Sequence, residues 1–520
     1  MNQQTVKHIV IVGGGSAGWI TAGTLAAEHK TRQNDAIKIT LIESPDVATI
    51  GVGEGTWPSM RNTLKLMGIA ESEFMTFCGA SYKQGSKFIN WCNGQGQDVY
   101  YHPFVTPPGY TELNLHACWQ KMQPDSRFAD TVSVQSTVCE AGCAPKQFNT
   151  PEYAGVTNYG YHLDAAKFAQ LLQKHCTEKL AVNHLIDHVT KVVGDKDGDI
   201  IAIETKQSGL IQGDLFVDCT GVQSMLLGKH YEIPFIDKQH ILFNDTALAV
   251  QAPYSNEETP IQSATLSTAQ AAGWIWDIGL PSRRGVGYVY SAQYCSDQEA
   301  QQTLVRYLQD SLSDEQIDTL VPRKISFRPG HREKFWHKNC VAIGMSAGFL
   351  EPLEASALAL VELSCAMLSE ELPVNREHME IVSKRFNDRF QYRWDRVIEF
   401  LKLHYVISER TDSEYWRQNR DTSSIPDRLS ELLSLWQFQP PSRLDFIQNE
   451  EVFPSASYQY VLYGMGFKTK ERQALTRSFD MQMATRLFTE NEQRKQQFVA
   501  GLPSNRELIQ HLIQAKSGQA

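Results

Sequence analysis

The apolar positions change period several times along the chain, and each change predicts an element. His8–Val12 (HIVIV) is a short apolar run that reads as a buried strand. It runs into Gly13-Gly14-Gly15-Ser16-Ala17-Gly18, and an apolar, helix-friendly stretch follows over Trp19–Glu28. A second strand is predicted over Ile37–Ile42 and ends on Glu43. Ala48–Pro58, with Gly51, Gly53, Gly55 and Glu54, has no period and suits an irregular segment lying against something flat. From Met60 to Lys87 the spacing of Leu64, Met67, Phe74, Phe77 and Tyr82 predicts helix, with Lys83 near its end. Phe88–Trp91 and Val99–Phe104 read as strands, the second carrying His102 and Phe104.

The middle of the chain is less even. Residues 105–160 are rich in Pro, Gly, Cys and Gln and read as mostly loop. Leu163–Lys179 is an amphipathic helix with Asp164 as its candidate cap. His188–Thr205 is a hairpin turning at Lys196–Asp199, and Leu215–Cys219 is a buried strand ending in Thr220-Gly221. Thr246–Gln251, Trp274–Ile278 and Gly287–Ser291 predict a second sheet, and Gln298–Leu312 a helix after it. The strand in CVAIG leads through a glycine- and proline-bearing loop into Ser356–Leu368, a helix apolar on nearly every side. From Val374 onward, amphipathic helices dominate, and the last (Ser504–Lys516) opens on a capping box of Ser504 and Glu507.

This order predicts an α/β protein. A body over 1–373 contains an interleaved sheet at approximately 230–330, and a helical part over 374–520 packs on it. No polar linker separates the two. With 520 residues, 42% hydrophobic and 21% charged, the chain is long enough for more than one core. Its net charge of −10 argues against a nucleic-acid partner. No apolar run approaches the roughly 18 residues of a membrane span. The first strand begins too soon for a signal peptide to precede it, and ten scattered cysteines then read as reduced thiols in a cytoplasmic protein. Cys139 and Cys143 lack a second pair at zinc spacing, so no metal site is expected.

Strand, glycine turn and helix together form the start of a dinucleotide site. Gly13 allows the tight turn, Gly15 lets backbone approach a pyrophosphate, and Gly18 lets helix pack on strand. Glu43 stands where a ribose-binding carboxylate is expected. There is one such motif and no second for a nicotinamide cofactor. Taken alone, Lys83 reads as a solvated charge, and Glu354 as a carboxylate favoured near the start of the helix that follows it.

Several segments in order go further. GGGSAGWITA, IGVGEGTWP, ASYKQGSKFINW, YYHPF, GDLFVDCTG, VAIGMSAGFLEPLE and HYVISERTDSEYW resemble the flavin-dependent tryptophan halogenases, relatives of the aromatic-hydroxylase flavoproteins. The resemblance covers most of the chain. It implies a Rossmann-type FAD-binding fold of the aromatic-hydroxylase and glutathione-reductase kind. It also implies that FAD arrives reduced (FADH2) from a separate NAD(P)H-dependent flavin reductase. With O2 and chloride or bromide the reduced flavin would yield hypohalous acid. That oxidant would reach an electron-rich aromatic substrate, such as tryptophan or another indole or phenol, by way of Lys83. Glu354 maps onto the second active-site residue. FAD contacts are implied at Gly13, Gly15, Ser16, Ala17, Gly18, Glu43, Val52, Gly53, Glu54, Val189, Met345 and Leu358. Halide is implied at Ser356 and Ala357, and substrate at His102, Phe104 and Tyr458.

Three positions depart from the family pattern. Gly279 stands where the W-x-W-x-I-P signature (Trp274 to Gly279 here) has proline. Ala355-Ser356-Ala357 replaces a more usual S-T-G after the glutamate. The C-terminal segment VFPSASYQYVLYGMGF offers tyrosines but no tryptophan for an aromatic slot. The alternative functions are an FAD-dependent aromatic monooxygenase that hydroxylates without halogenating, and a flavin-binding protein that turns over nothing, suggested by the altered halide segment. The Lys83 segment and the double-tryptophan signature tell against the first, because hydroxylation needs neither, and intact Lys83 and Glu354 tell against the second. A homodimer is the default oligomer for such a chain.

Overall fold

β1 (His8–Val12) sits in the middle of a six-stranded sheet, and its position explains its composition: both faces are covered, so Ile9, Val10 and Ile11 are fully buried. The computed structural model describes residues 5–33, 37–47, 53–448, 451–470 and 480–518. In this sheet β1 pairs in parallel with β2 (Lys38–Glu43) on one side and with strand Leu215–Asp218 on the other. Asn183–Ile186 extends it beyond β2, and Cys340–Ala342 extends it in parallel beyond Leu215–Asp218. Trp336–His337 closes that edge as an antiparallel strand. α1 (Ser16–Glu28) crosses from β1 to β2 and is buried from Gly18 through Ala26, because the Ala165–Lys179 and Ser356–Glu370 helices flank it. This is the expected Rossmann-type α/β body. Asp164 caps its helix, accepting hydrogen bonds from the N–H groups of Ala166 and Lys167.

A seven-stranded sheet lies over this body. Its order is Arg323–Ser326, Thr246–Ala252, Arg284–Tyr290, Gly273–Gly279, Thr265–Gln270, Gly85–Ile89 and Val99–Pro103. The sheet therefore takes two strands from the first hundred or so residues as well as those expected after residue 230. Only the pairing of Thr265–Gln270 with Gly85–Ile89 is parallel. The C-terminal part is helical. Its longest member, Arg376–Val406, runs from the edge of the six-stranded sheet to this one and ends on the buried His404 and Tyr405. No described helix is long and apolar enough to cross a membrane.

The region Met60–Lys87 differs from expectation. α2 (Met60–Met67) stops at Gly68 and α3 (Glu71–Phe77) stops at Cys78, with Gly79 beyond it at φ 52°. The chain then becomes strand: β3 (Gly53–Gly55) and β4 (Ser81–Lys83) flank Gly160–Asp164 in a small antiparallel sheet. The helix-like spacing ends at Phe77, and a left-handed glycine after a helix is a stop signal that apolar periodicity does not register. Lys83 therefore lies on a strand, not late in a helix. Residues 105–160 also hold more structure than expected, in three short helices (Leu115–Met122, Phe128–Val132 and Gln135–Glu140).

Candidate active site

The phosphate turn is shaped by what its glycines exclude. Gly13 has φ +118°, and a Cβ there would stand 2.1 Å from the Cys219 carbonyl oxygen. A Cβ on Gly18 would stand 1.9 Å from the Gly13 carbonyl oxygen. Both positions are closed by backbone. Gly15 is the opposite case, with no atom within 4 Å of where its Cβ would be. It is also the N-cap of α1, and no side chain caps that helix. Unpaired N–H groups at the positive end of a helix dipole thus face open space, which suits a pyrophosphate. Glu43 lies against Gly14 and accepts a hydrogen bond from His184 Nε2 at 2.9 Å. Gly344 comes so close to Ala17 that a Cβ on it would lie 2.7 Å from the alanine methyl, which seats Met345 beside the turn. His188, held by Ser44 and Asp46, sets Val189 near the end of β2. Ser16 opens α1, and Leu358 lies in the first turn of the Ser356 helix. Gly53 and Glu54 are on β3, where burial pushes the Glu54 carboxyl up to about 7. Val52 lies outside the described residues.

Lys83 is 1% exposed. Asn505 explains how β4 is fixed: its side chain donates to the Tyr82 carbonyl at 3.0 Å and accepts from the Tyr82 N–H at 3.3 Å. The ammonium lies 5.3 Å from the centroid of the Phe104 ring and about 3.0 Å from the Cβ position of Gly55. Among the described residues Lys83 Nζ makes no hydrogen bond, and no carboxylate lies within 4.0 Å of it. Burial pulls its pKa down to about 8, with Glu354 opposing that fall. Both the ammonium and the free amine are therefore populated near neutral pH.

Glu354 does not pair with Lys83 directly. Its Oε1 accepts from His102 Nδ1 at 2.8 Å and lies 3.4 Å from His404 Nε2. Burial alone would raise this carboxyl, but the two imidazoles outweigh it and hold it near about 2. Against an ionised carboxylate the facing ring nitrogens are donors. His102 Nε2 lies 2.9 Å from the Ser457 hydroxyl oxygen, and His404 Nδ1 lies 2.6 Å from the Tyr100 hydroxyl oxygen. The backbone here is unusual. Glu354 has φ 64° and Ala355 φ 55°, two successive left-handed residues that are not glycine. Each costs on the order of 1–2 kcal/mol and persists only where the surroundings insist on it. Trp57 Nε1 donates to the Glu354 carbonyl at 2.7 Å and holds one side of this turn.

The turn opens the Ser356–Glu370 helix, whose N-cap Ala355 supplies no side-chain bond to its first N–H groups. Ser356 is buried and Ala357 exposed. On the far side of His102, Phe400 stacks on Phe453 at 3.9 Å, and Phe453 meets Trp57 at 5.0 Å. Tyr460, not Tyr458, faces His102 directly, at 6.2 Å between centroids. Tyr458 stands behind Phe400, among Trp436 and Phe446. Its neighbour Ser457 makes the contact with His102 instead, because one step along a helix turns the side chain by about 100°.

Lys83, His102, Phe104 and Glu354 thus converge from distant parts of the chain. Asn505, Trp57, His404 and Ser457 are additions that sequence reasoning missed. His404 lies within HYVISERTDSEYW, a segment with a family resemblance but no assigned role. The fold and the glycine cradle define a dinucleotide-binding enzyme of the Rossmann type, whose buried lysine and histidine-held glutamate stand on other elements. The tryptophan halogenase family profile matches residues 8–481, and the chain belongs to that family. It is a flavin-dependent halogenase, and FAD is the cofactor its cradle fits. The chain is 34% identical to tryptophan 6-halogenase SttH of Streptomyces toxytricini, with 98% of each chain covered. It is 32% identical to tryptophan 7-halogenase RebH of Lentzea aerocolonigenes over 83% of this chain and 82% of that one. The crystal structure of a tryptophan halogenase from Shewanella frigidimarina NCIMB 400 superposes with a TM-score of 0.95 at 52% identity, covering 99% of both chains.

Proposed function

We propose that the chain halogenates an electron-rich aromatic ring, tryptophan or another indole or phenol, with Lys83 delivering the halogen and Glu354 serving the ring. The observation that carries this reading is Lys83: a buried amine with no hydrogen-bond partner among the described residues, across from a carboxylate that two histidines keep charged. FADH2 with O2 and halide supplies hypohalous acid. The Lys83 ammonium donates a hydrogen bond to the oxygen of that acid and makes hydroxide a better leaving group, or the amine takes the halogen itself. As the carbon–halogen bond forms, the oxygen–halogen bond breaks and the leaving hydroxide takes a proton from the Lys83 ammonium to depart as water; on the amine route that proton leaves nitrogen as the nitrogen–halogen bond forms. The ring becomes cationic, and Glu354 stabilises that charge and takes the ring proton when it leaves. Phe104 and His102 border the space where the ring would stack.

Chloride or bromide is assigned to the uncapped N-terminus of the Ser356 helix, at the N–H groups of Ser356 and Ala357. FADH2 comes from a separate NAD(P)H-dependent flavin reductase, because the chain carries a single dinucleotide motif. The test supplies FADH2 from such a reductase, chloride or bromide, and a panel of indoles and phenols, and reads isotope doublets by mass spectrometry. Lys83→Ala should lose halogenated product while still binding FAD and forming hypohalous acid. Normal halogenation by that variant refutes the assignment.

A further inference from the structure

We propose that Trp274, the first tryptophan of the W-x-W-x-I signature, is a positioning residue for Glu354 and acts through a buried hydrogen-bonded clamp on Glu351. The inference rests on the assignment of Glu354 above.

Glu351 lies three residues before Glu354 and is 1% exposed. Its Oε2 collects three donors: Trp274 Nε1, Tyr405 Oη and Asn244 Nδ2, each at 2.7 Å. They come from three separate places, the Gly273–Gly279 strand, the end of the Arg376–Val406 helix, and the segment before Thr246–Ala252. Asn244 is itself held, donating to the Tyr405 oxygen at 3.1 Å and accepting from Tyr415 at 3.0 Å. Burial raises the Glu351 carboxyl, and the three donors with the Lys402 charge oppose that rise.

The clamp anchors the start of the turn that carries Glu354 and Ala355 in left-handed conformations. Tyr405, which holds Glu351, is the chain neighbour of His404, which faces Glu354. One helix end therefore grips both carboxylates, and Trp274 ties the pair to the sheet. Two left-handed residues without glycine need such over-determination to stay in place. A phenylalanine at 274 would fill much of the same space but supply no N–H, leaving Glu351 Oε2 one donor short in a buried site. This also explains why an indole, and not merely a large ring, stands at the position.

The test separates placing Glu354 from merely keeping the fold. Trp274→Phe should lower kcat for ring halogenation about tenfold, with KM for the aromatic substrate and FAD affinity within about twofold of the starting protein. Release of hypohalous acid, trapped by a reactive β-diketone, should persist, so the loss appears as oxidant uncoupled from product. Glu351→Leu should show the same uncoupling. Glu351→Gln, which keeps an oxygen for the donors, should recover most of the rate lost in Glu351→Leu. The double variant Trp274→Phe/Glu351→Leu should be no slower than Glu351→Leu alone, because both break one clamp. A Trp274→Phe protein with an unchanged kcat overturns the proposal, as does one in which oxidant release and FAD binding fall in step with product. Glu354→Gln is measured alongside. An unchanged rate there refutes the role of Glu354, whereas a slowed Glu354→Gln beside an unaffected Trp274→Phe refutes the clamp alone.

Discussion

Replacing Lys83 with methionine should stop ring halogenation and at the same time make the protein more stable. The ammonium is buried and its pKa falls from 10.5 to about 8 on folding, so the folded state disfavours the charged form. For a base whose folded pKa is depressed, the penalty is complete below about pH 8 and fades as pH rises from 8 towards 10.5. That gap corresponds to about 3 kcal/mol of lost stability at pH 7 and roughly half as much at pH 9.5. Methionine has similar length and no charge, so it removes the penalty without opening a large cavity. At roughly 2 cal/mol/K per residue, 520 residues give an unfolding entropy of about 1 kcal/mol/K, and the gain is about 3 °C in Tm. Thermal melts of both proteins at intervals between pH 7 and pH 9.5 read it directly. A Lys83→Met protein that melts lower at pH 7, or whose advantage does not shrink with rising pH, refutes the electrostatic reasoning. Halogenated product from this variant would refute the chemical role separately.

Glu354 should behave with the opposite sign. Its folded pKa of about 2 against 4.5 means stability that is present above pH 4.5 and lost as pH falls towards 2. Glu354→Gln should therefore lower Tm at pH 7, with the difference narrowing below pH 4.5, and slow ring halogenation about 10²-fold. At the phosphate turn, Gly15→Ala should fold normally but lose more than tenfold in FAD affinity by fluorescence titration, since its Cβ meets only the space meant for the ligand. Gly18→Ala should fail to accumulate as soluble protein, because its Cβ would stand 1.9 Å from backbone that cannot yield. Gly279→Pro restores the residue usual in the family but would press on Ile261, Tyr254 and the Gln262 backbone at 3.1 to 3.3 Å. It should cost about 1–2 kcal/mol, read as a fall in Tm without loss of FAD binding.

The phosphate turn was open to sequence reasoning because everything that defines it is local. A buried strand, a run of small residues and an apolar helix follow one another within twenty-one residues, His8 to Glu28. The same holds for the Lys196–Asp199 hairpin, the Asp164 cap and the Ser504–Glu507 capping box, each written in a few adjacent side chains. The motif singles out Lys83, but apolar spacing places it in a helix, since that spacing masks the stop at Gly79. The resemblance points to Tyr458, and helix rotation turns its neighbours Ser457 and Tyr460 towards His102. The setting of Glu354 belongs to tertiary structure. His102 is 252 residues away from it, and Trp274 is 77 residues from Glu351. Such pairings leave no period in the chain, because a buried carboxylate needs donors from any direction and not from any particular distance in sequence. Composition and spacing decided that a strand, a glycine turn and a helix would form over His8–Glu28. Only the packing of the seven-stranded sheet and the Arg376–Val406 helix decided that Glu354 would stay charged, and that Lys83 would lie buried with no hydrogen bond to its amine among the described residues.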